Sequence, residues 1–284
     1  MTLPLRGKAT AGASRTRTAI LTRGMRMRTQ VERVREFRAM HRRGAPFVMP
    51  NVWSPGTAIA MAEAGFGAVA TTSGGLALDQ GLRDGEVGRL ASMAVATTIC
   101  AAVDVPVSAD LENGFHDEPS ECGRLMVAAI RGGLAGASIE DATGRADAPI
   151  YNFDHAVERV RQSVAAARAS GDLVVTARAE NFLHGREDLE DTIARLKAFE
   201  AAGADVLFAP GLPDIAAIRR VCEALSRPVS VIVYPGQKDI TAKAVAEAGA
   251  ARISLAGSLA RLAHQTIVAA AGDVRSNLGG KKEA

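Results

Sequence analysis

The strongest constraint on this chain is a rhythm. Short runs rich in Val, Ile, Leu and Ala alternate with longer Ala-rich runs of helical period. The short runs fall at 46–49, 68–73, 106–111, 137–141, 173–179, 205–209, 229–234 and 252–256, which makes eight predicted strands. They alternate little between apolar and polar residues, as strands covered on both faces do. Between them the pattern is amphipathic. In 153–170, Val157, Val160 and Val164 recur on one face, while Glu158, Arg159 and Arg161 occupy others. A glycine closes four of the helical runs just before a strand: Gly65, Gly133, Gly203 and Gly249. Glycine past a helix end takes the left-handed conformation that turns the chain back, so these positions predict a regular β/α wind.

Eight β/α units in succession suit a closed (β/α)8 barrel of the TIM type, typically ~250 residues. An open doubly wound sheet would carry G-x-G-x-x-G after its first strand, where Asn51-Val52-Trp53-Ser54-Pro55-Gly56 stands. The barrel is expected over 31–275 as one catalytic domain. Residues 1–30 read as a basic arm, since Arg6, Lys8, Arg15, Arg17, Arg23, Arg26 and Arg28 precede the first acid, Glu32. Such an arm is a solvated tail, a transit-like or polyanion-binding segment, or the product of a start placed before Met25 or Met27. Residues 276–284 read as a frayed end.

Composition excludes several classes. Hydrophobic residues at 48% and charged residues at 23% are ordinary globular usage, and a net charge of +3 is too weak to imply nucleic-acid binding. No apolar run of about 18 residues is present, so no membrane span is expected. Cys100, Cys122 and Cys222 have no C-x-x-C spacing and fall in helical runs. They predict buried apolar residues in a reducing cytoplasm, neither a metal site nor nucleophiles.

In such a barrel the chemistry sits at the C-terminal ends of the strands. Four acids gather there from the third and fourth strands: Asp110, Glu112, Glu140 and Asp141, with Arg178 from the fifth. Asp110 and Glu112, two apart, share a face if the strand continues. Crowded carboxylates repel unless a cation stands among them, and an all-oxygen set without His or Cys is what Mg2+ prefers. The competing reading is a set of structural salt bridges to Arg178 or Arg83. Ser73-Gly74-Gly75 ends the second strand, where its backbone amides are placed to cradle an anion. Arg178 offers a fork for a carboxylate. His116 and His184 follow the third and fifth strands and are candidates for the barrel mouth, whereas His41, His155 and His264 fall on helices as surface or packing residues.

Taken together these strand ends resemble the isocitrate lyase/phosphoenolpyruvate mutase superfamily. The resemblance rests on Ser73–Gly75, Gly81-Leu82-Arg83-Asp84, Pro106–Phe115, Gly136–Asp141 and Thr176–Glu180 in that order, and it runs from about residue 45 to 265. It implies that Asp110 ligates Mg2+ (or Mn2+) directly while Glu112 and Glu140 hold metal-bound water. It also implies that Asp84 is the acid of the second β/α loop. Ser73, Gly74 and Gly75 would take the oxo-carboxylate end of a substrate, Arg178 its other side, with His116 nearby. Members act on small acids by making or breaking C–C or P–C bonds next to an enolate. They assemble as dimers of dimers in which the eighth helix is exchanged between paired subunits.

Two departures shape the functional expectation. The lyase branch carries Lys-Lys/Arg-Cys-Gly-His after the fourth strand, whose cysteine serves as acid/base. Here 142–151 reads Ala-Thr-Gly-Arg-Ala-Asp-Ala-Pro-Ile-Tyr. The mutase branch's Lys-x-Asn-Ser loop and sixth-strand histidine are also missing. What remains is the equipment for stabilising negative charge on a 2-oxo acid. The expectation is therefore a Mg2+-dependent lyase or decarboxylase for a small 2-oxo or 2-hydroxy di- or tricarboxylate, with Tyr151, Glu180 and His184 as candidate bases. The alternatives are a P–C bond enzyme using Thr143 as phosphoryl acceptor, and a catalytically silent oxo-acid-binding protein.

Overall fold

Pro50 ends the first predicted strand, and a two-residue strand just beyond it completes the closure of the barrel. The computed structural model describes residues 27–278. In it β1 (Phe47–Met49) pairs with the last strand, β9 (Arg252–Ser254), while β2 (Asn51–Val52) pairs with β3 (Val69–Thr71). β4 (Val107–Asp110), β5 (Gly136–Glu140), β6 (Val174–Arg178), β7 (Val206–Phe208) and β8 (Val229–Ile232) complete the sheet. Its nine segments run β1-β9-β8-β7-β6-β5-β4-β3-β2, and every ladder is parallel. With β1 and β2 counted as one stave this is the (β/α)8 barrel. Each predicted strand is present within two or three residues of its expected limits. Proline lacks an N–H, so the ladder is interrupted at Pro50, although its carbonyl still accepts from Ala70 N at 3.0 Å.

α2 (Pro55–Glu63), α3 (Ser73–Asp79), α4 (Arg89–Ala102), α5 (Pro119–Arg131) and α6 (Phe153–Ser170) cover the first half of the barrel. α7 (Leu189–Ala201), α8 (Ile215–Ala224), α9 (Ala242–Glu247) and α10 (Ser258–Leu278) cover the second. The four expected helix-stop glycines all have positive φ: +92° at Gly65, +80° at Gly133, +99° at Gly203 and +96° at Gly249. No helix of the described residues is long and apolar enough to cross a membrane. Cys100, Cys122 and Cys222 lie buried on α4, α5 and α8, each thiol pushed up by burial.

α1 (Gln30–Met40) plugs the N-terminal end of the barrel. Thr29 caps it, its Oγ1 accepting from Glu32 N at 3.2 Å while Glu32 Oε2 accepts from Thr29 N at 2.6 Å. Val34 and Phe37 bury against Met49, Ala135, Val174 and Val206. Gly136 is where this plug meets the sheet, since a Cβ there would stand 2.7 Å from Phe37 Cε1. The last residues of the stretch assigned to the arm belong to the fold: Arg28 N reaches Asp104 Oδ1 at 2.7 Å, and Gln30 Nε2 reaches Asp172 O at 2.7 Å. At the other end α10 continues through 276–278. The remaining parts of the two tails, 1–26 and 279–284, lie outside the described residues.

Candidate active site

With α1 at the N-terminal end, the described barrel carries its cavity toward the C-terminal ends of its strands. A cavity of about 230 Å3 lies there, below the usual range for drug-sized ligands and suited to a small acid. Asp84, Asp110, Arg178, Arg252 and Arg261 line it, with Asn51, Thr71, Thr72, Ser73, Ser108, Ser138 and Tyr234, and an apolar side made by Met49, Leu183, Phe208 and Ile232.

Arg178, the last residue of β6, organises the acids. Its Nη1 lies 2.9 Å from Asp110 Oδ1, its Nη2 3.2 Å from Glu140 Oε2 and its Nε 2.7 Å from Glu180 Oε1. Register brings this about: Glu140 stands directly beside Arg178 and Ser138 beside Asp110. Burial works against the Arg178 charge, but Glu180, Glu140 and Asp110 outweigh it and hold the guanidinium more firmly protonated than usual. Two of its five N–H donors make hydrogen bonds, to Asp110 and Glu180, while Nη2 faces Glu140 as an ion pair.

Glu112 follows in a turn whose backbone is forced, with φ +48° at Glu112 and +59° at Phe115. The left-handed region disfavours residues with a Cβ by roughly 1–2 kcal/mol, so the surrounding structure must hold it there. The Glu112 carbonyl anchors the next stave by accepting from Glu140 N at 3.0 Å. Its carboxyl is pushed up to about 8 by burial and by the nearby charges of Asp110 and Asp84, against the pull of Arg178. Glu140 is raised by burial, with Glu180, Asp110 and Glu112 adding to it and Arg178 opposing. Neither residue lines the cavity; both stand behind Asp110.

The Ser73-Gly74-Gly75 segment opens α3 instead of ending a strand. Ser73 N donates to Asp110 Oδ2 at 3.2 Å, and Gly75 N donates to Thr72 Oγ1 at 3.2 Å. Only the Gly74 amide stays free, in the first turn where no helix carbonyl reaches it. Gly74 also lets Asp84 come close: a Cβ there would stand 2.9 Å from Asp84 Oδ2. This segment seats Asp110 and Asp84 and leaves little of an amide nest.

Several predicted residues are not brought to the cavity. Tyr151 is buried beneath the strand ends, its hydroxyl donating to Asp117 and its ring covered by the Arg159 guanidinium at 4.3 Å. Burial and that hydrogen bond push the phenol up to about 12. His116 is exposed, with Nδ1 accepting from Glu118 N at 3.0 Å. His184 is exposed at the end of a 3-10 turn, Asn181–His184, from which Leu183 enters the cavity instead. Glu180 is buried behind Arg178. Asp141 makes a structural pair, accepting from Arg195 Nη1 at 3.1 Å and Glu180 N at 2.8 Å. Thr143 Oγ1 is held by Ala148 O at 2.5 Å and by Arg145 N at 2.9 Å, outside the cavity. Arg83 pairs with Glu86 on the surface.

Arg252, Arg261, Ser108 and Ser138 were missed. A signal for Arg252 did exist: a charged residue inside a short apolar strand is rarely buried without a reason. Alternation with Ile253 also places Arg252 and Ser254 on the barrel's inner face.

Among the described residues no three acids close into a ready-made cation cage, because Arg178 stands between Asp110 and Glu140. The donor set still suits Mg2+, which binds through one or two carboxylates and keeps several waters. Glu112 Oε1 is buried with no hydrogen-bond partner among the described residues, which fits a carboxylate placed to accept from metal-bound water.

Comparison with known proteins identifies the family. The family model described as phosphoenolpyruvate phosphomutase matches residues 37–275. An uncharacterised protein of Mycobacterium tuberculosis is 31% identical over 220 residues, covering 77% of this chain and 80% of that one. The 2-methylisocitrate lyase of Escherichia coli is 29% identical, with 68% and 67% covered. Among solved structures, a lyase/mutase-like protein of Burkholderia cenocepacia is 46% identical with a TM-score of 0.83, covering 87% and 88%. A 2,3-dimethylmalate lyase is 27% identical with a TM-score of 0.79, covering 90% and 92%. The chain belongs to the phosphoenolpyruvate mutase/isocitrate lyase superfamily.

Proposed function

We propose that this chain is a Mg2+-dependent carbon–carbon lyase acting on a small 2-oxo or 2-hydroxy diacid, and that decarboxylation is the reaction its residues suit best. The observation that carries the reading is Asp110 on the cavity wall with Glu112 and Glu140 next to it in the strand-end acid cluster, Arg178 pairing with Asp110 and Glu140, and Glu112 Oε1 buried and unpartnered among the described residues. Asp110 would hold the ion, and Glu112 and Glu140 its water. When bound, Mg2+ or Mn2+ supplies Lewis-acid stabilisation of negative charge on a substrate oxygen.

The protein's own groups do the rest. The remaining N–H groups of Arg178 and the Gly74 amide orient the substrate's carboxylate. Met49, Leu183, Phe208 and Ile232 exclude water from one side of the cavity. In decarboxylation of a 2-oxo diacid the C–C bond breaks, CO2 departs and the electron pair moves toward the ketone oxygen, and the resulting enolate takes a proton from water, with no base needed. Retro-aldol cleavage does need one, and Tyr151 and His184 lie outside the cavity while Glu180 is bound to Arg178. Transfer of phosphorus loses its acceptor, because Thr143 is tied into its own loop. Relatives named for carbon acids support the same choice, among them an oxaloacetate decarboxylase of Paraburkholderia xenovorans, 36% identical over a match spanning under half of each chain.

Assembly is part of the reading. Leu262, Ile267, Val268 and Val274 lie exposed along α10, as a helix exchanged within a dimer of dimers would leave them in one protomer. The three unpaired thiols fit a reducing cytoplasm.

The test is turnover of oxaloacetate, phosphonopyruvate and alkylated malates with Mg2+ or Mn2+, followed by NMR. Metal-dependent release of CO2 or of a smaller oxo acid is expected. Turnover of phosphonopyruvate alone would replace the reading with P–C chemistry, and metal-dependent binding without any turnover would make the chain an oxo-acid-binding protein.

A further inference from the structure

Arg252 is buried inside the barrel, 3% exposed, and no carboxylate pairs with it among the described residues. That sets it apart from the other buried arginine facing the cavity, Arg178, which has three acids. A buried guanidinium held without a counter-charge is costly unless something negative joins it.

Its surroundings hold it still. Nε donates to Ser230 Oγ at 2.9 Å, and Nη1 reaches Thr176 Oγ1 at 3.2 Å and His41 Nε2 at 3.3 Å. His41 Nδ1 lies 2.8 Å from Phe37 O, a carbonyl that can only accept, so Nδ1 carries the proton and Nε2 is left as an acceptor for Arg252. These three partners are neutral and come from β6, β8 and the C-cap of α1. Among the described residues Nη2 has no hydrogen-bond partner, and the residue lines the cavity.

Arg252 opens β9, whereas Asp110, Glu140 and Arg178 end their strands. With about 3.3 Å per residue along a strand, the guanidinium sits at the foot of the cavity and the acids at its mouth. Burial and the repulsion of Arg178 draw the Arg252 pKa down to about 9, which still leaves it charged at neutral pH.

We propose that Arg252 Nη2 forms a second anion subsite at the foot of the cavity, which receives the distal carboxylate of a diacid whose other end is held at the acid cluster. This rests on the functional reading above and narrows its substrate class to acids carrying two separated anionic groups.

Racemic malate and racemic lactate share the same 2-hydroxy carboxylate head, and only malate has a second carboxylate. Calorimetric titration of the full chain in Mg2+ should show malate binding at least about tenfold tighter than lactate, the size of one charge-assisted hydrogen bond. Arg252→Met should remove that gap and leave lactate affinity within about twofold of wild type. Equal affinities in the wild type, or a gap that survives in Arg252→Met, would overturn the subsite. If Arg252→Met does not fold, Arg252→Lys decides: a gap narrowed several-fold supports the subsite and an unchanged one sinks it. The two readings fail separately. A malate preference that depends on Arg252 but not on Mg2+ counts against the metal reading while sustaining the subsite.

Discussion

Arg178 and Asp110 end strands β6 and β4, and they meet at 2.9 Å in front of the strand that separates them. The contact puts a permanent cation against the residue assigned to hold Mg2+. Asp110 also receives Ser73 N at 3.2 Å, so the side chain is seated from two directions before any ion arrives. A preorganised carboxylate needs less reordering on binding.

Asp110→Ala should remove Mg2+-dependent turnover by at least about 100-fold, and Mg2+ affinity should fall with it. Parallel calorimetry and turnover assays check both. Wild-type metal dependence in this variant would take Asp110 out of the role.

Arg178→Lys keeps a charge but cannot reach Asp110, Glu140 and Glu180 together, because an ammonium has no rigid fork. Substrate affinity should fall by about tenfold or more. Stability should drop by about 3 kcal/mol, as expected for a buried ion network that loses partners. Urea unfolding and the KM of the variant are the measurements, and an unchanged KM would make Arg178 purely structural.

Tyr151→Phe separates a base from a packing residue. The hydroxyl is bound to Asp117 outside the cavity, so kcat should stay within about twofold and stability should fall by about 1 kcal/mol. A kcat loss above tenfold, with a shifted pH profile, would return Tyr151 to the chemistry.

His41 predicts an acid sensitivity. Burial and the charge of Arg252 lower its pKa to about 3, below the ordinary value of 6.5. Between those values the unfolded chain binds more protons than the folded one, so stability is full above about pH 6.5. It declines as pH falls toward 3, by up to ~1.4 kcal/mol per pH unit. In His41→Phe that part of the slope should vanish in urea melts at pH 4 to 7. An unaltered slope would show that other groups control the acid limb.

The rhythm of short apolar runs, the four helix-stop glycines and the acids at the strand ends were legible in the sequence because each is a local or periodic property. A strand's length, a left-handed glycine and the end of a stave are decided within a few residues. The barrel rule then placed Asp110, Glu140 and Arg178 together without any knowledge of their contacts. Ser73 shows the limit of such reading, since the sequence rule saw a strand end where the chain turns into a helix.

The remainder depended on packing between distant segments. Arg252 and His41 stand 211 residues apart and meet only because α1 plugs the barrel beneath β9. Tyr151 and Asp117, 34 apart, pair under the rim, which takes a plausible base away from the cavity. Spacing along the chain carries no record of either pairing. Which polar groups face a shared cavity, and which are already satisfied by a neighbour, follows from how eight staves and their helices close around one interior.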